Sequence, residues 1–122
     1  MFHDEIQAHH YAHLETEHLE HRVDWVERGA VSHVRRDGNC AASWANAAIS
    51  AIEGAKFIKD GHLHELSAQQ IIDCDHQSYG CHGGLFTNAF DHAQHVPIMS
   101  EEDYPYIAAS QHCLWEEGRG YA

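Results

Sequence analysis

A helical pattern that begins directly after a glycine-containing loop constrains the fold more than any other feature of this sequence. The loop and first helical residues read Asp-Gly-Asn-Cys-Ala-Ala-Ser-Trp over residues 37–44. The spacing that follows predicts a helix from about Ser43 to Lys59, with Gly61 beyond its end. A helix start gathers unpaired N–H groups and the positive end of the dipole, which favour a thiolate or a developing oxyanion. The apolar residues that set the spacing, and that we expect to be buried, are Ala47, Ala48, Ala51, Ile52, Ala55 and Ile58.

Two further helices are predicted downstream. Ser67 and Gln70 match a capping box that opens a short helix, which Asp73 and Cys74 end. Leu66, Ile71 and Ile72 are expected to pack this helix under the first one. The next helical pattern runs from Phe86 to His95 and stops before Pro97. Its expected apolar face is Phe86, Ala89, Phe90 and Ala93, and its expected solvent-facing residues are Asp91, His92 and His95.

The composition of the chain limits the kinds of partner that it is expected to bind. The chain has 122 residues and a formal charge of -12 with histidine neutral, which fits one domain or part of one. A nucleic-acid partner would need a basic patch, and no apolar run reaches the roughly 18 residues of a membrane span, so neither partner is expected. Protonation of all 14 histidines would move the charge to +2, so the net charge should collapse in acidic surroundings. The first five residues do not resemble a secretory signal.

Residues 1–21 are rich in histidine and glutamate and form a separate arm in our interpretation. A solvated helix or a disordered arm is the favoured hypothesis for this segment, and the tail of a pro-segment is another. His9 and His13, like Glu17 and His21, are spaced to share one face of a helix, which leaves a metal site as an alternative. We expect no metal or other cofactor, because no cysteine accompanies these residues. Residues 23–34 are predicted to be extended, with Trp25 packed and Gly29 in a turn.

Four cysteines lie at Cys40, Cys74, Cys81 and Cys113. The sequence alone allows three disulfide pairings. A zinc site is the rival interpretation, but the chain has no Cys-x-x-Cys pair of the kind that such sites use.

Several motifs in a fixed order resemble the helical half of the papain-like cysteine peptidases. Their nucleophile loop has the pattern Gln-Gly-x-Cys-x-x-Cys-Trp, and this chain keeps Gly38, Cys40 and Trp44 in register. The resemblance covers roughly Arg22 to the end, so that residues 22–122 would be a truncated left-hand domain. It implies a mainly α domain of three helices and two disulfides, taken from an α+β fold whose β-rich second domain is absent. The other motifs that carry it are Val23-Asp24-Trp25, Gly29-Ala30-Val31, residues 66–74, residues 79–84, and Tyr104-Pro105-Tyr106.

Two departures from this pattern bear directly on catalysis. Ser43 stands at the nucleophile position and Asp37 at the position of the oxyanion-hole glutamine. A serine hydroxyl cannot form the thiolate–imidazolium pair of the family, and a carboxylate repels a developing oxyanion. The family also places its catalytic His and Asn in a second half beyond this sequence. Ser43 is therefore predicted to act as a helix N-cap, with Arg35 and Arg36 partly neutralising Asp37.

The resemblance selects the pairings Cys40–Cys81 and Cys74–Cys113. Two disulfides imply an oxidising compartment, so we expect a secreted, lysosomal or vacuolar protein. Asn46 replaces an aromatic residue that the family usually has, which implies a locally polar core. Glu53 and Gly54 match a family pair, and Gly54 is expected to allow close packing.

The resemblance also implies a peptide-binding wall. The site would include the paired glycines Gly83 and Gly84, of which Gly84 would offer its backbone to an extended peptide, a form of strand addition. Leu85 and Phe86 would line the main specificity pocket. Trp44 belongs to the same expected site.

Three functions follow from the sequence. The first is a catalytically inactive homologue, a pseudoenzyme, that binds a peptide or protein ligand. The second is a fragment or Cys-to-Ser variant of an active endopeptidase, a hydrolase, whose second half is supplied elsewhere or by self-association. The third is a histidine-rich metal-binding module, with zinc held by His9, His10 and His13.

Overall fold

A computed structural model describes residues 11–121 of the chain. Its α-helices are α1 (Ser43–Asp60), α2 (Ala68–Cys74) and α3 (Phe86–His95). A single turn of 3-10 helix, Gly80–His82, lies between α2 and α3. Strands β1 (Ile98–Met99) and β2 (Gly120–Tyr121) form a two-residue antiparallel pair. The mainly α, three-helix architecture predicted from the sequence is confirmed for the described part of the chain.

Helix α1 begins at the predicted residue and ends one residue later than predicted. Gly61 adopts a left-handed conformation with φ 80°, and its N–H donates to the Phe57 carbonyl, which closes the helix. The predicted buried face is wrong, because Ala47, Ala51, Ala55 and Ile58 are exposed. Alanines lie on every side of α1, so the pattern did not define one face, and the position of the other helices decided it. The residues that α1 buries are Trp44, Ala45, Ala48, Ile49 and Glu53.

Every residue of α2 is buried. Ser67 caps the helix as predicted, because its Oγ accepts a hydrogen bond of 3.0 Å from the Gln70 N–H. The second bond of a capping box, from the Ser67 N–H to the Gln70 side chain, is not formed. The Ser67 N–H instead donates to the Met99 carbonyl at 2.9 Å. The Gln70 side chain accepts from the Met99 N–H at 2.7 Å and donates to the Pro97 carbonyl at 3.2 Å. It therefore ties α2 to the segment that contains β1.

Helix α3 has the predicted bounds. Ala89 is fully buried and Phe90 and Ala93 pack against the core, whereas Phe86 remains 54% exposed. The predicted solvent-facing position of His92 is wrong. His92 is half-buried, with its Nε2 at 3.3 Å from the Gln70 Nε2, and this burial lowers its pKa. Its partner lies on α2, which the helical pattern of α3 alone could not show.

The core lies where α1, α2 and α3 meet. Its largest fully buried side chains include Ile49, Leu66 and Ile71, which confirms the predicted packing of α2 under α1. Disulfides join Cys40 to Cys81 and Cys74 to Cys113, the pairings that the resemblance selected. Each bridge closes a loop of about 40 residues and is expected to stabilise the fold by about 2–4 kcal/mol.

The chain before α1 lacks regular secondary structure in its described part. Residues 11–21 form exposed turns and irregular chain, and residues 1–10, with His9 and His10, lie outside the described residues. Residues 23–34 were predicted to be extended, and this is wrong for residues 25–29, which form a turn. Gly29 lies in that turn as predicted, with φ 85°. Trp25 is 40% exposed beneath the Arg28 guanidinium. Across residues 11–121, no group of His, Cys, Asp and Glu could hold a metal ion, and no helix has the length and apolar character to cross a membrane.

Candidate active-site cleft

Ser43 is the first residue of α1 and its side chain is exposed. The prediction that Ser43 caps the helix is wrong. Ala42 takes that position, because its carbonyl accepts the bond of 2.9 Å from the Asn46 N–H, and no side chain caps the helix. Among the described residues, the N–H groups of Ser43, Trp44 and Ala45 make no hydrogen bond. The helix start therefore presents an unused hydroxyl beside free donors, an arrangement that suits negative charge.

Asp37 is held by a residue that the sequence did not identify as its partner. Its Oδ1 accepts a hydrogen bond of 2.7 Å from the Asn46 Nδ2, and its backbone carbonyl accepts from the Tyr106 hydroxyl. Burial, and then the Asp37 charge, raises the pKa of Tyr106. Asn46 lies three residues after Ser43, so both project from the same side of α1. The Asn46–Asp37 bond thus places the carboxylate beside the helix turn that carries the serine.

The predicted neutralisation of Asp37 by Arg35 is wrong. Arg35 donates to both oxygens of Glu53, at 3.1 and 2.8 Å, and Glu53 is only 1% exposed. Burial would lower the Arg35 pKa, but the bond and charge of Glu53 outweigh it, so the pKa is raised. Glu53 also accepts from the Ser32 Oγ at 3.0 Å and from the Leu66 N–H at 2.8 Å. The pair is part of the interior, and its charges cancel there.

A groove of about 380 Å³ runs along this side of α1. Asp37, Ser43, Asn46 and Ser50 line it, together with residues 31–35 of the preceding chain. A second cavity of about 360 Å³ adjoins it and shares the Asn46 lining. We refer to the first space as the Ser43 groove. It brings together the two predicted catalytic positions, Ser43 and Asp37.

The second cavity contains a carboxyl group that is only partly satisfied. The Glu101 Oε1 accepts from the Tyr106 N–H at 3.0 Å, whereas its Oε2 is buried without a hydrogen-bond partner. Burial raises the Glu101 pKa, because the charged form is poorly solvated there. Tyr106 therefore links this cavity to the Asp37 backbone through its hydroxyl.

The glycine-rich segment lies close to the start of α1. The Ala41 N–H donates to the Cys81 carbonyl at 3.0 Å, alongside the Cys40–Cys81 disulfide. Trp44 is 6% exposed and its Nε1 donates to the Gly80 carbonyl at 3.3 Å. A Cβ at Gly84 would lie 2.7 Å from the Trp44 Cδ2, so the segment packs directly on the indole. Trp44 thus supports the predicted wall from beneath.

Residues 83–86, which we call the peptide wall, combine free backbone with exposed apolar side chains. The Gly83 carbonyl accepts from the Tyr79 N–H at 2.9 Å, which fixes the turn, and Gly83 has φ 117°, a conformation that favours glycine. Neither the N–H nor the carbonyl of Gly84 is hydrogen-bonded within the described chain. Leu85 is 61% exposed and Phe86 is 54% exposed.

The sequence did not predict the contacts that three residues make in or beside the cleft. Asn46 orients Asp37, Tyr106 holds the Asp37 backbone, and Glu53 engages Arg35. The three-residue spacing of Ser43 and Asn46 could have placed both on one helix side. No sequence signal could have given the contact with Tyr106, which lies 69 residues from Asp37.

The fold and the cleft define a class: a helical domain, closed by two disulfides, with a small polar residue at the start of its longest helix beside a glycine-rich loop. The sequence profile of the family described as "Papain family cysteine protease" matches residues 19–121. The chain belongs to the papain family of cysteine proteases.

Relatives and solved structures agree with this assignment. Papain of Carica papaya is 39% identical over 100 residues, which cover 82% of this chain and 29% of papain. The senescence-specific cysteine protease SAG12 of Arabidopsis thaliana is 44% identical over 92 residues, which cover 75% of this chain and 27% of that protein. The ragweed pollen allergen Amb a 11 cysteine protease, solved in its proform, has a TM-score of 0.79 and 37% identity, covering 89% of this chain and 33% of that one. This sequence therefore spans about a third or less of these relatives.

Proposed function

We propose that this chain is a papain-like peptidase homologue that holds an extended peptide along the peptide wall and does not cleave it by itself. The free backbone of Gly84, between a packed Trp44 and the exposed Leu85 and Phe86, carries this proposal. An extended peptide pairs with free backbone as an added strand, and adjacent apolar side chains receive its own. The expected ligand is a peptide or protein segment with an apolar or aromatic side chain at this point.

Two features of the cleft argue against cleavage by this chain alone. A serine nucleophile needs a base within hydrogen-bond reach, and no side chain among the described residues hydrogen-bonds to Ser43. The Asp37 carboxylate, at the position where the family has glutamine, would repel an oxyanion. Loss of one oxyanion donor alone costs about 3 kcal/mol of transition-state stabilisation. The free N–H groups at the start of α1 do not offset the missing base.

A second candidate is half of an active cysteine endopeptidase whose nucleophile is replaced. It is favoured by an exposed apolar surface next to the cleft. Val34 is 92% exposed and lines the Ser43 groove, and Ile58 is 60% exposed on the face of α1 that also carries Ala51. A second peptidase domain or a second copy of the chain would cover such a surface. In either case the two disulfides favour a secreted, lysosomal or vacuolar setting.

Binding and cleavage are separable by experiment. Binding is measured as fluorescence anisotropy of a labelled peptide with an aromatic residue, using the full chain and the double variant Leu85→Ala, Phe86→Ala. We expect the double variant to lose about tenfold in affinity, since two exposed contacts are removed. Ile58→Ala is the matched control, because it removes an equally exposed apolar side chain outside the peptide wall.

Cleavage is measured with a fluorogenic version of the same peptide at about pH 5 and about pH 7, the range in which histidine titrates. Binding without cleavage, in the natural chain and in the double variant Ser43→Cys, Asp37→Gln, supports the first candidate. Cleavage by the Ser43→Cys, Asp37→Gln variant, but not by the natural chain, supports the second candidate. Cleavage by the natural chain contradicts the inactive assignment. A folded chain that neither binds nor cleaves overturns both candidates.

A further inference from the structure

The Ser43 groove holds one fixed carboxylate. The Asn46 Nδ2 donates to the Asp37 Oδ1 at 2.7 Å, and the Asp37 backbone is held by the Tyr106 hydroxyl. The Asp37 Oδ2 accepts no hydrogen bond from the described residues, and the Ser43 hydroxyl is likewise unused. Two departures from the family pattern, Asp37 and Asn46, therefore form one unit. That unit leaves an oriented oxygen for a ligand.

The other ionisable side chains that line this groove already have partners. Arg35 lies in a two-contact pair with Glu53, at 3.1 and 2.8 Å. The His33 Nδ1 lies 3.0 Å from the Glu65 Oε1. Neither Glu53 nor Glu65 lines the groove. Asp37 is thus the one charged group of the lining that lacks an oppositely charged partner within the described chain, so the groove favours a cation.

The free atoms also indicate which cation fits. A guanidinium that contacted both oxygens of Asp37 would have to share Oδ1 with the Asn46 amide, whereas an ammonium needs only Oδ2. An ammonium is a compact point charge with three donors, and the groove that would receive it is lined by both Asp37 and Ser43. We propose that the Ser43 groove binds the ammonium group of a lysine side chain in the bound peptide. This rests on the proposed peptide binding and adds its charge preference.

The test uses two labelled peptides that are identical except for one residue placed next to the aromatic one. That residue is lysine in one peptide and norleucine, which has no ammonium group, in the other. With the natural full chain we expect the lysine peptide to bind about fivefold more tightly, the upper range measured for a solvent-exposed ion pair. Added salt should weaken only the lysine peptide, because an exposed ion pair is screened.

Two substitutions test whether Asp37 causes the difference in affinity between the lysine and norleucine peptides. Asp37→Asn keeps a polar partner for Asn46 and should abolish the difference between the two peptides. Arg36→Gln should increase it, because Arg36 is an exposed cation adjacent to Asp37 that lines only the neighbouring cavity. Far-UV circular dichroism checks that each variant is folded, and the comparison in the natural chain needs no variant.

The possible results of these binding measurements distinguish the ammonium site from peptide binding itself. Equal affinity of the lysine and norleucine peptides overturns the ammonium site and leaves peptide binding intact. No binding of either peptide overturns both proposals. A third labelled peptide carries arginine at the same place, and it overturns the preference for ammonium if it binds as tightly as the lysine peptide. A lysine preference that survives Asp37→Asn means that another carboxylate is responsible, and it overturns the role of Asp37.

A direct probe of the same groove is n-butylammonium, followed by the NMR signals of the Asn46 side-chain amide. We expect these signals to shift in the natural chain and not in Asp37→Asn. n-Butanol is the matched neutral control. Unchanged amide signals at saturating butylammonium would contradict the site independently of any peptide.

Discussion

Most buried polar groups of this domain are hydrogen-bonded, whereas its cleft contains a hydroxyl and a stretch of backbone that have no partner among the described residues. In the interior, Glu53, Gln70 and Asp73 are at most 8% exposed, and each is hydrogen-bonded. In the cleft, Ser43 is exposed without a partner and Gly84 keeps its backbone free within the described chain. Both regions belong to the same small fold, so the difference does not arise from composition.

Structural groups and groups that can bind a ligand therefore occupy different regions of this domain. Asp73 accepts hydrogen bonds from the Tyr104 hydroxyl at 2.7 Å and from the Gln69 Nε2 at 2.9 Å. The bond to Tyr104 fixes the loop after β1, and neither side-chain oxygen is left without a partner. Burial, and then the bond to Asp73, raises the Tyr104 pKa above its usual range. A buried charge with partners stabilises, whereas an oriented group without partners is available for a ligand.

Glu53→Ala should give the largest effect. It leaves the half-buried Arg35 without its partner and the Leu66 N–H without its acceptor. Breaking a buried pair from one side costs about 3–5 kcal/mol of unfolding free energy. Urea denaturation measures the loss, with Glu65→Ala as the control because Glu65 is exposed. A loss equal to that of the control would mean that the interior pair is not structural.

Gly84→Ala should be next in size. The added Cβ would lie 2.7 Å from the Trp44 Cδ2 and 2.7 Å from the Ser78 Cβ. Such overpacking costs about 1–3 kcal/mol and moves the backbone that we assign to peptide binding. Thermal unfolding and peptide anisotropy measure both consequences, with the exposed Thr87→Ala as the control. Unchanged stability together with unchanged affinity would show that the segment does not pack on Trp44.

His92 should make stability depend on pH, with a smaller effect because it is only half-buried. Burial lowers its folded-state pKa below the ordinary value of 6.5. The unfolded chain then binds the proton more readily, so the stability contributed by neutral His92 is present above that value and is lost as pH falls below it. Asp75 opposes the shift and His76 adds to it.

The measurement is the free energy of unfolding as a function of pH for the natural chain and for His92→Gln. We expect a shallower decline in the variant between about pH 7 and about pH 5, the range where histidine titrates. His82→Gln, at an exposed position, serves as the control. Parallel curves for the natural chain and His92→Gln would contradict the burial argument.

Ser43→Ala should have the smallest effect on stability. Because Ser43 makes no capping bond, its loss should change the unfolding free energy by less than about 0.5 kcal/mol. A capping serine would cost about 1 kcal/mol. A loss of that larger size, measured by urea denaturation, would show that Ser43 caps α1 in solution after all.

The helix bounds were predictable because local signals mark them. Gly61 closes α1 in a left-handed conformation, Ser67 caps α2, and the chain leaves α3 before Pro97. The disulfide pairings were predictable only through the family resemblance, since cysteine spacing left three alternatives. The buried face of α1 was not predictable, because alanine fits either a buried or an exposed position and its pattern fixes no direction.

Capping residues, helical periodicity and ordered motifs act over short stretches of chain, so the local elements and the family follow from the sequence alone. The partners of the polar groups depend on how the helices pack. Arg35 pairs with Glu53 and leaves Asp37 to Asn46, although Arg35 stands two residues from Asp37. A hydrogen bond depends on which side chains the packed helices bring within about 3 Å, and that distance is set by the whole fold.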